Sequence, residues 1–243
     1  MNLLVDTHTH TVLSGHAFST LVENAKEASE KKMHAIVCTE HGPGIEGGAP
    51  AYVIGVLRGM QEYMENIQVF VGTEANIMDH DGTIDIPERF LEMTDFAVAS
   101  LHDIVIDPGD QKTNTETLLK VLDNQYIDAI GHPGNPYYPI DPHALVLETK
   151  KQNKVIEINS HSFAFRKGST ENCIKIMKLC KKHGVRITVA SDAHISYDIG
   201  EFSAATSILE ALQFPEELIV SRDIESFLAY VYERKSRLLK NMF

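Results

Sequence analysis

Residues 5–16 read VDTHTHTVLSGH and hold three histidines and an aspartate within twelve positions. The i, i+2 spacing of His8 and His10 places both imidazoles on one face of an extended strand, and Asp192 with His194 in SDAH repeats that spacing late in the chain. Neutral imidazoles beside a carboxylate form a donor set for a borderline divalent ion, zinc first, with manganese or iron as alternatives. A lone H-x-H says little. Here His41, Glu74, His102 and His132 each stand at the end of a further short apolar run, and His16 follows in the loop after His10. Gathered in one cavity without an ion, so many imidazoles and carboxylates would leave buried polar groups short of partners.

Positioning these residues requires a repeating scaffold. Apolar runs alternate with longer amphipathic segments along the chain, with no low-complexity stretch and no Pro/Gly/Ser linker, so one domain over residues 1–243 is expected. The apolar runs predict strands at 3–6, 35–39, 69–73, 96–100, 128–131, 155–159 and 187–191, with a short eighth at 218–220. Thr20 with Glu23 and Thr113 with Glu116 read as capping boxes, Asp141 before Pro142 as an N-cap with a first-turn proline, and Gly184 as a helix stop. A closing helix begins near Asp223, and Asp81-Gly82 marks a hairpin. Apolar strands each followed by a helix make a parallel sheet covered by helices. Closed on itself, that is an α/β barrel, whose functional residues collect at the C-terminal strand ends. There the pattern places His8, His10, His41, Glu74, His102, His132, Asp192 and His194. His34 and His183 fall at the opposite end, His80 and His143 on the surface, and His161, two positions past Asn159, within reach of the site.

Composition narrows the function. The 34 acidic against 22 basic residues give a net charge of -12, which disfavours an overall basic surface for nucleic acid. Cys38, Cys173 and Cys180 contain no C-x-x-C pair and read as core residues of a reducing compartment. The N-terminus lacks a signal-peptide pattern, and no apolar run approaches the roughly 20 residues that span a bilayer. A cytoplasmic protein that binds no membrane is expected.

HTHT at 8–11 with His16, TEH at 39–41, GTEAN at 72–76, SLHD at 100–103, GHPG at 131–134 and SDAH at 191–194 together resemble the motifs of the PHP (polymerase and histidinol phosphatase) superfamily, essentially from end to end. Order, spacing and length are most similar to its small bacterial YcdX-like phosphatases. The resemblance implies a distorted (β/α)7 TIM-like barrel and three divalent ions per chain. One would be held by His8, His10, Glu74 and Asp192, a second by Glu74, His102 and His132 with Glu74 bridging, and a third by His16, His41 and His194. Every ligand position of that pattern is present. The resemblance also implies a homotrimer.

Such a cluster supports phosphate-ester hydrolysis, because two ions make a hydroxide available near neutral pH and a third can hold a phosphoryl or leaving oxygen. Glu74, Asp192 and His194 would carry the chemistry through the ions. Arg166, beside Lys167 in the loop after the sixth strand, offers a fork for phosphate. The expected activity is hydrolysis of a small phosphomonoester, with no stable nucleic-acid complex. Cleavage of short oligonucleotides and hydrolysis of histidinol phosphate are the alternatives within the superfamily. An amidohydrolase fits less well, lacking a lysine on strand four and an aspartate on strand eight, and a non-catalytic metal binder least.

Overall fold

A computed structural model describes residues 1–60 and 63–241. In chain order the elements are β1 (Val5–Thr9), α1 (Leu21–Glu30), β2 (Ala35–Cys38), α2 (Val53–Arg58), β3 (Tyr63–Met64), β4 (Ile67–Asn76), α3 (Glu88–Leu91), β5 (Phe96–Ser100) and α4 (Gln111–Asp123). There follow β6 (Ala129–Ile130), α5 (Pro142–Lys151), β7 (Val155–Asn159), α6 (His161–Phe165), α7 (Ser169–His183), β8 (Ile187–Ala190), α8 (Ser203–Ala211) and α9 (Ile224–Asn241). The strands β1-β2-β4-β5-β6-β7-β8 lie side by side, all parallel, and the short β3 pairs antiparallel with β4. This is a distorted (β/α)7 barrel.

The distortion lies at the seam between β1 and β8. At its C-terminal end the seam is closed: the Asp192 amide donates to the His8 carbonyl at 3.0 Å and the His10 amide to the Ala193 carbonyl at 2.9 Å. At its N-terminal end residues 219–222 wedge the two strands apart. Leu4 and Val5 donate to the carbonyls of Arg222 and Ser221, while the Val220 amide donates to Ile187. The eighth strand expected at 218–220 is therefore a single parallel bridge, Ile187 to Ile219.

Strand alternation sorts the apolar side chains into two cores. Val37, Phe70, Phe96, Val98 and Val155 fill the barrel interior and pack on Phe227 and Tyr230 of α9, which stoppers the lower end. Ile36, Val71, Ile130, Ile156 and Val189 point outward into a larger core beneath the surrounding helices. The interior is narrow enough that a Cβ on Gly72 would come within 2.7 Å of the side chains of Val37 and Thr39.

In β1 simple alternation from the inward Val5 would turn His8 away from the interior. A register shift between Asp6 and Thr9 against β2 inserts the extra residue that rephases the strand, so His8 and His10 face inward. The strand expected to end at residue 6 runs on to Thr9, held by Thr9 Oγ1 donating to the Val37 carbonyl at 2.8 Å and by Thr7 against Thr188 at 2.6 Å.

The Thr20–Glu23 capping box, the Asp141 cap with Pro142 and the Gly184 stop, at φ 65°, form as expected. The box at Thr113 and Glu116 does not. The helix starts earlier, after Gly109, where Asp110 accepts the Thr113 amide at 2.8 Å and takes the cap position. The Asp81-Gly82 hairpin shrinks to one bridge, Ile77 to Ile84. Among the described residues no helix is long and apolar enough to cross a membrane.

Candidate metal centre

Above the apolar floor the inward positions turn polar. Glu74 is continuous with Phe70 and Gly72 on the inner face of β4, and its two oxygens face different partners. Oε2 lies 3.2 Å from His8 Nε2, 3.5 Å from His10 Nε2 and 2.8 Å from His41 Nδ1, whereas Oε1 lies 3.1 Å from His132 Nε2 and 3.3 Å from His102 Nε2. Asp192 Oδ1 adds contacts of 3.2 Å to His10 and 3.6 Å to His8. Toward the mouth, His16 Nε2 and His194 Nε2 meet at 3.0 Å, and the His41 ring stacks between those of His10 and His16 at 4.3 and 4.9 Å. Among the described residues three donor sets are compact enough to share an ion: His8, His10 and Glu74; His41, Glu74 and His102; and His10, His41 and His194.

The structure thus brings together every residue singled out as a ligand. Arg166 joins them from the end of α6, with Nη2 3.6 Å from Asp192 Oδ2 and Nη1 donating to Ser162 Oγ at 2.8 Å. His161 is half-buried with its ring 6.2 Å from that of His194. His34 and His143 are exposed, and His183 stacks edge-on against His143. His80, expected on the surface, is half-buried with Nδ1 3.1 Å from Thr117 Oγ1, because the hairpin folds back onto α4.

The residues that orient these imidazoles escape a reading by motif. Glu157, on the inner face of β7, accepts His8 Nδ1–H at 2.6 Å through one oxygen and the His132 backbone N–H at 2.6 Å through the other. That second bond braces a residue at φ 32°, in the left-handed region. Ser14 Oγ donates to Glu40, which leaves its lone pairs for His10 Nδ1–H at 2.9 Å. Asn76 Oδ1 accepts His102 Nδ1–H at 2.7 Å, its amide orientation set by Nδ2 donating to Asp85 at 2.6 Å. His194 Nδ1–H donates to the Asp192 carbonyl at 2.9 Å. Each bond places the proton on Nδ1 and directs the Nε2 lone pair of His8, His10, His102 or His194 into the cluster.

Electrostatics reflect the crowding of imidazoles and carboxylates. Burial, reinforced by neighbouring imidazoles, holds His10 well below the usual histidine range and lowers His16, and burial with the Arg166 charge lowers His132. Burial opposes ionisation of Glu74 and Asp192, yet the surrounding imidazoles keep both well below the carboxylate range. Burial also disfavours a charge on His8, but Glu74, Glu157 and Asp192 outweigh it and raise its pKa well above normal. The cavity calls for positive charge.

Comparison with known proteins places this geometry in a family. Residues 6–213 match the model of the PHP domain. The chain belongs to the PHP family. A probable phosphatase of Acetivibrio thermocellus is 44% identical over 238 residues, spanning 98% of this chain and 99% of the relative. Another, from Caldanaerobacter subterraneus subsp. tengcongensis, is 45% identical over 240 residues, or 98% and 94% of the two chains. Among solved structures, the PHP barrel resembles a histidinol phosphate phosphatase of Lactococcus lactis, complexed with zinc, L-histidinol and phosphate, with a TM-score of 0.65 at 18% identity over 88% of this chain and 95% of that one. An archaeal ribonuclease P structure with mature tRNA gives 0.62 at 16% identity over 95% and 91%. At such identities the likeness is one of fold.

Proposed function

We propose that this PHP protein is a metal-dependent phosphatase that hydrolyses small phosphomonoesters at a centre of three divalent ions, with zinc the first candidate. The phosphatase assignment is supported by relatives named probable phosphatases at about 44% identity over nearly the whole chain. The observation that carries the metal reading is the pair Glu74 Oε2 and His41 Nδ1. Both atoms are buried and neither has a hydrogen-bond partner among the described residues, although they lie 2.8 Å apart. Buried acceptors left this way cost free energy unless a cation satisfies them. The oriented Nε2 lone pairs and the ionised carboxylates fit the same need.

His8, His10, Glu74 and Asp192 would hold one ion, Glu74 with His102 and His132 a second, and His16, His41 and His194 a third. When bound, divalent ions supply a water-derived nucleophile near neutral pH and positive charge for the phosphoryl group. The chain's own part is positional. The split faces of Glu74 suit a bridging carboxylate, and Asp192 is steadied by Asn159 Nδ2 donating to Oδ2 at 3.1 Å. Arg166, between Ser162 and Asp192, is placed to donate to a phosphoryl oxygen at the edge of the cluster. In the net reaction the bond from phosphorus to the ester oxygen breaks, water supplies the new oxygen, and the leaving alcohol takes up the proton.

Metal analysis of reconstituted protein should give close to three ions per chain, and p-nitrophenyl phosphate should be hydrolysed until a chelator is added. Hydrolysis of amides but of no phosphoester would remove the phosphatase reading.

A further inference from the structure

Beside the metal centre a cavity of about 460 Å³ opens on the C-terminal face against His102 and His132. Its walls include two partly exposed aromatic rings: Tyr137, 50% exposed, from the loop after β6 and packed T-wise with Tyr138, and Phe165, 71% exposed, at the end of α6. Phe165 is not a loose side chain. His161 stacks on its ring face to face, with centroids 3.9 Å apart and planes within 10°, which fixes one face and leaves the other free. The cavity is also lined by Arg166 and Lys167, against a single carboxylate, Asp103. Arg166 is tied toward Asp192, but Lys167 makes no hydrogen bond or ion pair among the described residues. A chain of net charge -12 therefore presents an unpaired cation here, next to preorganised aromatic surface.

We infer that this cavity is the leaving-group subsite and that it selects phosphomonoesters whose alcohol carries a flat ring with an anionic substituent. The inference rests on the phosphatase reading and adds the substrate class to it. With the phosphoryl group at the metal cluster, the alcohol must extend away from His102 and His132. Tyr137 and Phe165 then offer their faces to a planar group, which aromatic surface prefers to a puckered one of equal size. Lys167 reads a second negative charge at the outer end. A cationic alcohol would meet Arg166 and Lys167 and be disfavoured.

The test compares primary-alcohol esters of similar intrinsic reactivity on metal-replete protein: propyl, cyclohexylmethyl, benzyl and 4-carboxybenzyl phosphate. Benzyl phosphate should exceed both non-planar esters in kcat/KM by about tenfold, the scale of one aromatic contact. The carboxylate should raise the value several-fold more. Tyr137→Ala or Phe165→Ala should bring the benzyl to cyclohexylmethyl ratio toward one, and Lys167→Gln should erase only the gain from the carboxylate. Equal kcat/KM across the series, or ratios unmoved by these substitutions, overturns the subsite while leaving the phosphatase reading intact. If no ester is hydrolysed, the phosphatase reading fails, and calorimetry with benzylphosphonate and cyclohexylmethylphosphonate still decides the subsite: tighter binding of the planar ligand, lost in Phe165→Ala, supports it, and equal binding refutes it.

Discussion

One oxygen of Glu157 serves the His8 ring, and the other accepts from the His132 amide and, at 3.2 Å, from Asn159 Nδ2. Glu157→Gln offers one oxygen and one NH2 group, so the bond to the ring or that to the His132 amide must be lost. Metal binding measured by calorimetry should weaken by roughly 10- to 100-fold, the usual effect of removing a ligand's supporting partner, with little change in circular dichroism. On the proposed assignment Glu74 differs in being itself a ligand. Glu74→Ala should release the two ions its carboxylate would join, so metal analysis should fall from about three ions toward one with catalysis reduced by orders of magnitude. Retention of all three ions with near-normal turnover would require a different pairing of ligands. Glu74 stands out in the sequence because GTEAN follows an apolar run and carries a donor at a strand end. Glu157 does not, since VIEIN reads as an ordinary buried strand and its partner His8 lies 149 positions away. Ser14 was equally hidden, and Asn76, although it closes the GTEAN motif, is a common polar residue whose role appears only when the imidazole it holds is in place.

At the scale of elements, Lys154 shows how a connection is secured. It stands just before β7, nine-tenths out of reach of solvent or more, and its Nζ donates to the carbonyls of Leu122 and Asn124 at the end of α4, both at 2.5 Å. Burial, with the charges of Arg237 and Arg234 also opposing protonation and Asp128 favouring it, pushes its pKa down to about 7. A neutral amine still has two N–H groups for the two carbonyls. Below pH 7 both folded and unfolded chains hold the proton, but between about 7 and the ordinary 10.5 only the unfolded chain does, so stability should rise with pH across that window. Urea denaturation at pH 7 and pH 9.5 should show the rise in the parent protein, and Lys154→Met should flatten it; an unchanged slope in the variant would assign the effect elsewhere. The strand and helix order itself was legible because short apolar runs alternate regularly with longer amphipathic segments. What was lost sits where local signals compete: Asp110 outcompetes Thr113 as a cap, and residues 218–220 lie where the seam has room for a bridge but not a strand. The bulge in β1 leaves no local mark in the polar run THTH.

For the molecule as a whole, the two apolar cores lie below and around the metal cluster and use none of its donor residues. The barrel should therefore survive chelation, with far-UV circular dichroism retained, while its Tm falls because ligands that bind only the folded state add stability, about 2.7 kcal/mol for a site at a free concentration 100 times its Kd. Returning ions to the chelated, folded protein should restore the original Tm. Collapse of the secondary structure on chelation would show that the ions carry the fold.

The seam that closes the barrel joins residues separated by almost the entire chain: Ser191 donates to Asp6 across 185 positions, and Asp192 to His8. During synthesis His8 and His10 leave the ribosome early, while the aspartate that shares their cavity follows roughly 10 to 40 seconds later at ordinary elongation rates. For most of that interval the first strand has neither its far neighbour nor the carboxylate of Glu157 to orient it, and a free H-x-H is at most a weak, exposed ligand. On the proposed metal reading, timing becomes a form of selectivity: the complete donor set exists only after nearly all the chain has been made, so the ions it kept would be those present around the finished protein, not those first met by the nascent chain.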